Sequence, residues 1–222
     1  MPARIRRLAL AIPLLLLIVG AAAPPRPSDA ATAYKRDLYF SAGYERQIDN
    51  RTCIPASTAM MENFIARRDL NLSQRTILSY AQPRDALRDS VQRGSDPLGW
   101  AVAASRYSAY TGRATTYRWE AYSTEAAALN RAATLIARYG KPVGLVVQHG
   151  KHAVVMTGFT STRDPSRGRF RLLQVIYSDP YGSRHATVSA ASSPLSTYLE
   201  LDATTTYDRL WYGKYIIIAP QN

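Results

Sequence analysis

The chain contains a single cysteine, and its position favours nucleophilic chemistry. Cys53 is the only cysteine among 222 residues. A lone cysteine cannot form an internal disulfide, so it is a reactive thiol, an intermolecular link or a small buried hydrophobe. Cys53 stands where an apolar segment with helical spacing begins. Free backbone N–H groups and the positive end of the helix dipole gather at such a position, and both favour the thiolate.

A thiolate nucleophile needs a base, and the chain offers His149, His152 and His185. His152 opens a predicted strand, in GKHAVVMTGF, where rigid backbone can hold an imidazole at a cleft. His149 falls in the preceding turn, and His185 lies in a segment without strong periodicity. Taken alone, a histidine in this position is more commonly a structural residue with its hydrogen bonds satisfied. Together with Cys53, its placement predicts a general base.

Two further residues complete a possible catalytic set. Asp179 follows the apolar run FRLLQVIY and precedes Pro180, so it can accept a hydrogen bond from an imidazole on a neighbouring strand. Its other interpretation is a turn aspartate in Asp-Pro-Tyr-Gly. Gln47 lies six residues before Cys53, and a loop of that length can bring its amide beside the sulfur. With the Cys53 N–H it would form an oxyanion hole; alternatively, it is an ordinary surface glutamine.

The pattern of apolar residues predicts helices first and strands later. Helices are predicted at Cys53–Arg67, after Ser73, from Asp96-Pro97 to Gly112, and from Ser123 or Thr124 to Gly140. Strands are predicted at Pro142–Gln148, Ala153–Phe159, Phe170–Tyr177 and Tyr215–Ala219, with a weaker one at Thr115–Trp119. The predicted fold class is α+β, with an N-terminal helical half packed on a C-terminal antiparallel β-sheet.

The first 23 residues have the features of an export signal peptide. Three arginines precede the apolar run Leu8–Val19, and three alanines then offer a cleavage site. An uncleaved membrane anchor is the alternative, although the run is shorter than the roughly 20 residues of a membrane span. Residues 24–37, rich in Pro, Ala and charge, predict a linker, and residues 38–222 a single domain. We therefore expect a secreted or cell-surface protein.

Charge and composition limit the expected ligands. The formal net charge is +12, and removal of the signal, with three arginines and no acid, leaves +9. Such a protein is attracted weakly to anionic cell surfaces. The arginines form no basic stripe, which disfavours nucleic-acid binding. One cysteine and three scattered histidines make no zinc-binding pattern, so neither a metal nor a cofactor is expected.

Taken together, these residues resemble the papain-like cysteine peptidases. The closest branch contains the bacterial domains that cut bacteriocin leaders after a double glycine, and their exported relatives. The matching features are a glutamine six residues before the cysteine, the helix start CIPASTAMM, the strand HAVVMTGF and the Asp-Pro pair at 179–180. The resemblance spans Tyr39–Ala219.

The resemblance implies hydrolysis of a peptide or protein substrate without a cofactor. It assigns Cys53 as nucleophile, His152 as base, Asp179 as the residue that orients the histidine and Gln47 as oxyanion donor. A glycine often follows the cysteine in this branch, and the chain has Ile54 there. A bulky residue at this point affects the range of substrates more than the chemistry.

Two other functions remain open at the level of sequence. The same residues would serve an acyl or isopeptide transferase, or an amidase acting on cell-wall peptides. A catalytically inactive cell-surface binding module is also compatible with the basic charge and with the 15 tyrosines, since tyrosine is enriched at binding surfaces.

Overall fold

Local capping signals define the helices of the protein. The computed structural model describes residues 33–86, 94–182, 184–199 and 208–222, so the predicted export signal lies outside it. Ser73, Asp96 and Thr124 each accept a backbone N–H at the start of a helix. The helices are α1 (Cys53–Ala66), α2 (Gln74–Ala81), α3 (Pro97–Tyr107), α4 (Glu125–Tyr139) and α5 (Asp208–Trp211). The first four confirm the predicted helices, although α3 ends before the predicted Gly112.

The strands form one antiparallel sheet. They are β1 (Tyr34–Asp37), β2 (Tyr117–Tyr122), β3 (Val143–Val147), β4 (His152–Ser161), β5 (Leu172–Asp179), β6 (Arg184–Ser189) and β7 (Tyr215–Pro220). Their order is β2-β7-β3-β4-β5-β6, and β1 pairs with β4 off this path. The long strand β4 contacts β1, β3 and β5, and it begins at the predicted base His152.

Helices cover both faces of this sheet. On one face, residues of α1 and α3 such as Phe64 and Trp100 pack against Val155 of β4. On the other face, α4 packs against Val154 and Met156 of the same strand. Strands buried on both faces contain nearly continuous apolar residues rather than alternating ones. The predicted α+β class, with a helical N-terminal half and an antiparallel sheet, is confirmed.

Two strands differ from the sequence-based prediction. Tyr34–Asp37, the last four residues of the predicted linker, form β1 and pair with Ser161 to Gly158 of β4. The backbone of Arg36 passes so close that a Cβ at Gly158 would lie 2.2 Å from its carbonyl oxygen. Residues 34–37 are therefore part of the sheet. Strand β6, which contains His185, was not predicted either. Among the described residues, no helix is long and apolar enough to cross a membrane.

Candidate active site

Cys53 is the first residue of α1, as predicted. Thr52 precedes the helix, but its side chain does not cap it. The thiol therefore lies at a helix start whose backbone N–H groups receive no side-chain cap, and only 8% of the residue is exposed. One turn later, the Ser57 hydroxyl donates to the carbonyl oxygen of Ala153, at 3.2 Å. This bond joins α1 to β4 at the residue that follows His152.

His152 and Asp179 form the most direct contact of the site. Imidazole Nε2 lies 2.7 Å from Asp179 Oδ1, across strands β4 and β5. The side chain of Cys53 lies close enough to the imidazole to raise its pKa. Because Nε2 is engaged by the carboxylate, Nδ1 is the ring nitrogen left for the thiol. The structure thus brings together three of the four residues that the sequence singles out.

The electrostatics of His152 favour its protonated form. Burial lowers the pKa of His152, but the hydrogen bond to Asp179, the interaction with the Cys53 side chain and the charges of these two groups raise it, and the net result is about 9. An imidazole with a pKa of about 9, against the usual 6.5, carries its proton at neutral pH. A protonated His152 supports a thiolate beside it and can later donate that proton to a leaving group.

Gln47 lies in the loop that leads to Cys53, and its amide NH₂ donates to the carbonyl oxygen of Asp49, at 2.9 Å. An amide NH₂ carries two hydrogens, so one is left for another acceptor. The Gln47 backbone N–H donates to the carbonyl oxygen of Pro180, at 3.1 Å. This bond places the glutamine loop against the turn that follows Asp179.

Several residues that support the site have no signal in the sequence pattern. The Tyr44 hydroxyl donates to the backbone carbonyl of Asp179, at 2.7 Å. Gln74, from α2, donates to the carbonyl oxygen of Arg46 and accepts the N–H of Ile48, at 2.8 and 3.2 Å. Each of these bonds joins a side chain to a backbone group of a distant segment. Residue types at fixed spacing therefore do not reveal them.

The other two histidines have different partners. His149 lies in the turn between β3 and β4, with Nδ1 3.1 Å from the carbonyl oxygen of Thr197. His185 lies between Ser178 and Asp37, at 3.2 and 3.3 Å. In the described part of the chain, no group of three or more His, Cys, Asp or Glu residues is arranged to hold a metal ion.

Comparison with known families identifies the relationship. Residues 41–206 match the model of the Peptidase_C39 like family. The chain belongs to this family. The match bears out the resemblance to papain-like cysteine peptidases, and the α+β architecture is consistent with it. Membership of the Peptidase_C39 like family indicates a peptidase of the cysteine type. No curated protein matches the chain.

Proposed function

We propose that this Peptidase_C39 like protein hydrolyses peptide bonds, with Cys53 as nucleophile and His152 as general acid and base. The observation that carries the proposal is the 2.7 Å contact between His152 Nε2 and Asp179, on an imidazole whose pKa is also raised by the neighbouring Cys53 side chain. A nucleophile, a base in contact with it and a third group that orients the base are the parts that covalent catalysis needs.

The first half of the reaction transfers the acyl group to sulfur. The Cys53 thiolate attacks the carbonyl carbon of the peptide, and the carbonyl oxygen becomes negatively charged. The free amide hydrogen of Gln47 and the Cys53 backbone N–H stabilise this oxyanion. The His152 imidazolium then gives its proton to the amide nitrogen, the C–N bond breaks and the amine leaves. The acyl group remains as a thioester.

The second half returns the enzyme to its starting state. Neutral His152 takes a proton from a water molecule, and the resulting hydroxide attacks the thioester carbon. The C–S bond breaks, a carboxylic acid is released and the thiolate–imidazolium pair is restored. Throughout, the Asp179 carboxylate holds Nε2 and so keeps Nδ1 directed at the sulfur.

Isotope incorporation tests hydrolysis directly. The full chain, purified after export, is incubated with a degenerate peptide library in H₂¹⁸O, and new termini are identified by mass spectrometry. We expect cleavage with one ¹⁸O in each new carboxyl group, and none with Cys53→Ala. An added amine that replaces the label in most products would instead indicate transfer, while the absence of any product together with an unreactive Cys53 would contradict the proposal.

We also propose that the protein acts outside the cytoplasm, because of the arginine-rich start, the apolar run and the alanines at residues 1–23. N-terminal sequencing of secreted material should find a chain that starts after about residue 23. Cytoplasmic protein that keeps Met1 would contradict this assignment.

A further inference from the structure

Three exposed cations lie beside the candidate catalytic residues. Arg46, Lys151 and Arg184, here called the basic rim, are all exposed. Within the part of the chain that the structure describes, their side chains make no hydrogen bond or ion pair. Most exposed cations of a basic protein are simply solvated. The position of these three next to the reacting groups sets them apart.

Arg184 is placed by the register of the sheet. It pairs directly with Asp179 across strands β5 and β6. Cross-strand partners project from the same face with Cβ atoms about 4.5–5.5 Å apart. The Asp179 oxygen nearest to His152 also accepts the N–H of Tyr181, so this oxygen is already occupied by two donors. The Arg184 side chain therefore leaves the sheet beside Asp179, and its guanidinium forms no ion pair with that carboxylate.

The other two cations are neighbours of catalytic residues along the chain. Lys151 precedes His152, and Arg46 precedes Gln47. Consecutive Cα atoms are about 3.8 Å apart, so the backbone that carries each cation adjoins the corresponding site residue. The loop that carries Arg46 is held in place, since its carbonyl oxygen accepts a 2.8 Å hydrogen bond from Gln74.

The acids near the basic rim are used inside the protein. Glu45 accepts a hydrogen bond from Asn63, at 3.2 Å, and burial raises its pKa. Asp49 accepts the backbone N–H of Arg51, at 2.9 Å. Among the described residues of the glutamine loop and of the β5–β6 turn, carboxylates thus serve the loops themselves or His152. In these described loops, none of the carboxylates forms an ion pair with a cation of the basic rim.

We propose that the basic rim selects peptide substrates that carry acidic residues close to the scissile bond. Guanidinium groups bind carboxylates in a two-pronged geometry, and a positive cleft raises the rate of association with an anionic peptide. The three cations adjoin three different site residues, along the chain for Arg46 and Lys151 and across the sheet for Arg184, so an anionic ligand that they bind would lie at the site. This arrangement favours a substrate over a flat anionic surface. The inference rests on the proposed function.

Matched peptides test the selection. Each substrate found in the library is made in pairs that differ by Glu or Gln at one position, within four residues on either side of the cleaved bond. We expect kcat/KM to be about three- to fivefold higher for Glu at one or more positions, the size of one exposed ion pair. In 1 M salt, where the screening length falls to about 3 Å, the ratio should approach one.

Variants assign the effect to the rim. Arg184→Gln should bring the ratio of kcat/KM for Glu and Gln peptides close to one at a single position. The triple change of Arg46, Lys151 and Arg184 to Gln should bring this ratio close to one at every position. Arg118→Gln is the matched control, since Arg118 is an exposed arginine on β2, at the edge of the sheet opposite to β6. The control should keep the wild-type ratio. Circular dichroism confirms that each variant is folded.

Failure of this inference differs from failure of the proposed function. The proposal for the basic rim is wrong if Glu and Gln peptides are cleaved at equal rates at every position. It is also wrong if Arg184→Gln and Arg118→Gln change the ratio of kcat/KM for Glu and Gln peptides by the same amount. Binding of the protein to anionic vesicles through the same three residues, without any preference among peptides, would also overturn it. If no peptide is cleaved but Cys53→Ala binds Glu peptides more tightly than Gln peptides, the preference assigned to the basic rim stands and the proposed peptidase activity does not.

Discussion

Two histidines in the described part of this protein hydrogen-bond a carboxylate through Nε2, and they have different neighbours. His152 lies 2.7 Å from Asp179, and the side chain of Cys53 is close enough to raise its pKa. His185 lies 3.3 Å from Asp37, and its Nδ1 lies 3.2 Å from the Ser178 hydroxyl. Each histidine thus stands between an aspartate and a side chain that is a nucleophile in some enzymes.

The surroundings of the two potential nucleophiles explain why only one set suits catalysis. Ser178 is fully buried within β5, where no peptide carbonyl can approach it. Its histidine is stacked on Tyr39, with ring centroids 3.8 Å apart. Cys53 begins a helix, where backbone N–H groups and the helix dipole favour negative charge. A histidine–carboxylate pair therefore needs a nucleophile that is not completely buried, as Cys53 is not at 8% exposure, and that lies where negative charge is favoured.

The largest effect expected concerns the histidines themselves. His152→Ala should lower turnover by at least about 10⁴-fold, because the leaving amine loses its proton donor and the thiolate its partner. His185→Ala and His149→Ala should keep most activity, since their imidazoles contact other groups. Steady-state rates of the three variants, with circular dichroism as a control for folding, provide the test. An inactive but folded His185→Ala would reverse the roles assigned to the two pairs.

The aspartates give the next largest difference. Asp179→Asn should reduce turnover in a graded way, by less than His152→Ala, because the neutral amide can still orient the imidazolium but stabilises its charge less than a carboxylate does, while the nucleophile remains. Asp37→Asn, the matched change at the other pair, should have little effect on rate. The comparison uses kcat for one cleaved peptide at a fixed pH. Equal losses in both variants would mean that the two carboxylates act only on the stability of the sheet.

Gln47 is the proposed oxyanion donor beside Cys53, and no such donor is assigned to the His185–Asp37 pair. Its removal therefore measures how much an oxyanion donor adds to a histidine–carboxylate pair. Gln47→Ala should lower kcat by about 10² to 10³, the usual cost of losing one oxyanion donor. The change also removes the hydrogen bond to Asp49, so Gln47→Glu, which keeps the size of the side chain and lacks amide hydrogens, is the companion variant. An unchanged rate in both variants would remove Gln47 from the site.

The helices were predictable because their signals are local. Ser73, Asp96 and Thr124 are side chains that accept the first free N–H groups of a helix, wherever the rest of the chain lies. Strands β1 and β6 gave no such signal. The sequence YKRD of β1 is polar, and β1 becomes a strand only because β4 offers unpaired backbone groups beside Gly158.

The candidate site also combines residues that have local sequence signals with residues that depend on distant parts of the chain. Cys53, His152 and Asp179 were found because each has a chemically suitable side chain at the end of a predicted element. Tyr44 and Gln74 were not found, since they support the site through bonds to backbone groups. The pairing of Arg184 with Asp179 also required the register of β5 and β6, which follows from a turn that sequence patterns do not determine.

The reactivity of Cys53 tests the central claim most directly. The iodoacetamide alkylation rate is measured from pH 5 to 10 for the wild type, His152→Ala and His185→Ala, with a small free thiol as reference. A pKa of about 9 for His152 keeps the imidazolium present below that pH, so we predict fast alkylation already at pH 6 in the wild type and in His185→Ala. In His152→Ala, the rate at pH 6 should fall towards that of the free thiol. A wild-type rate that follows an ordinary thiol titration near about pH 8.5, unchanged by His152→Ala, would contradict the account.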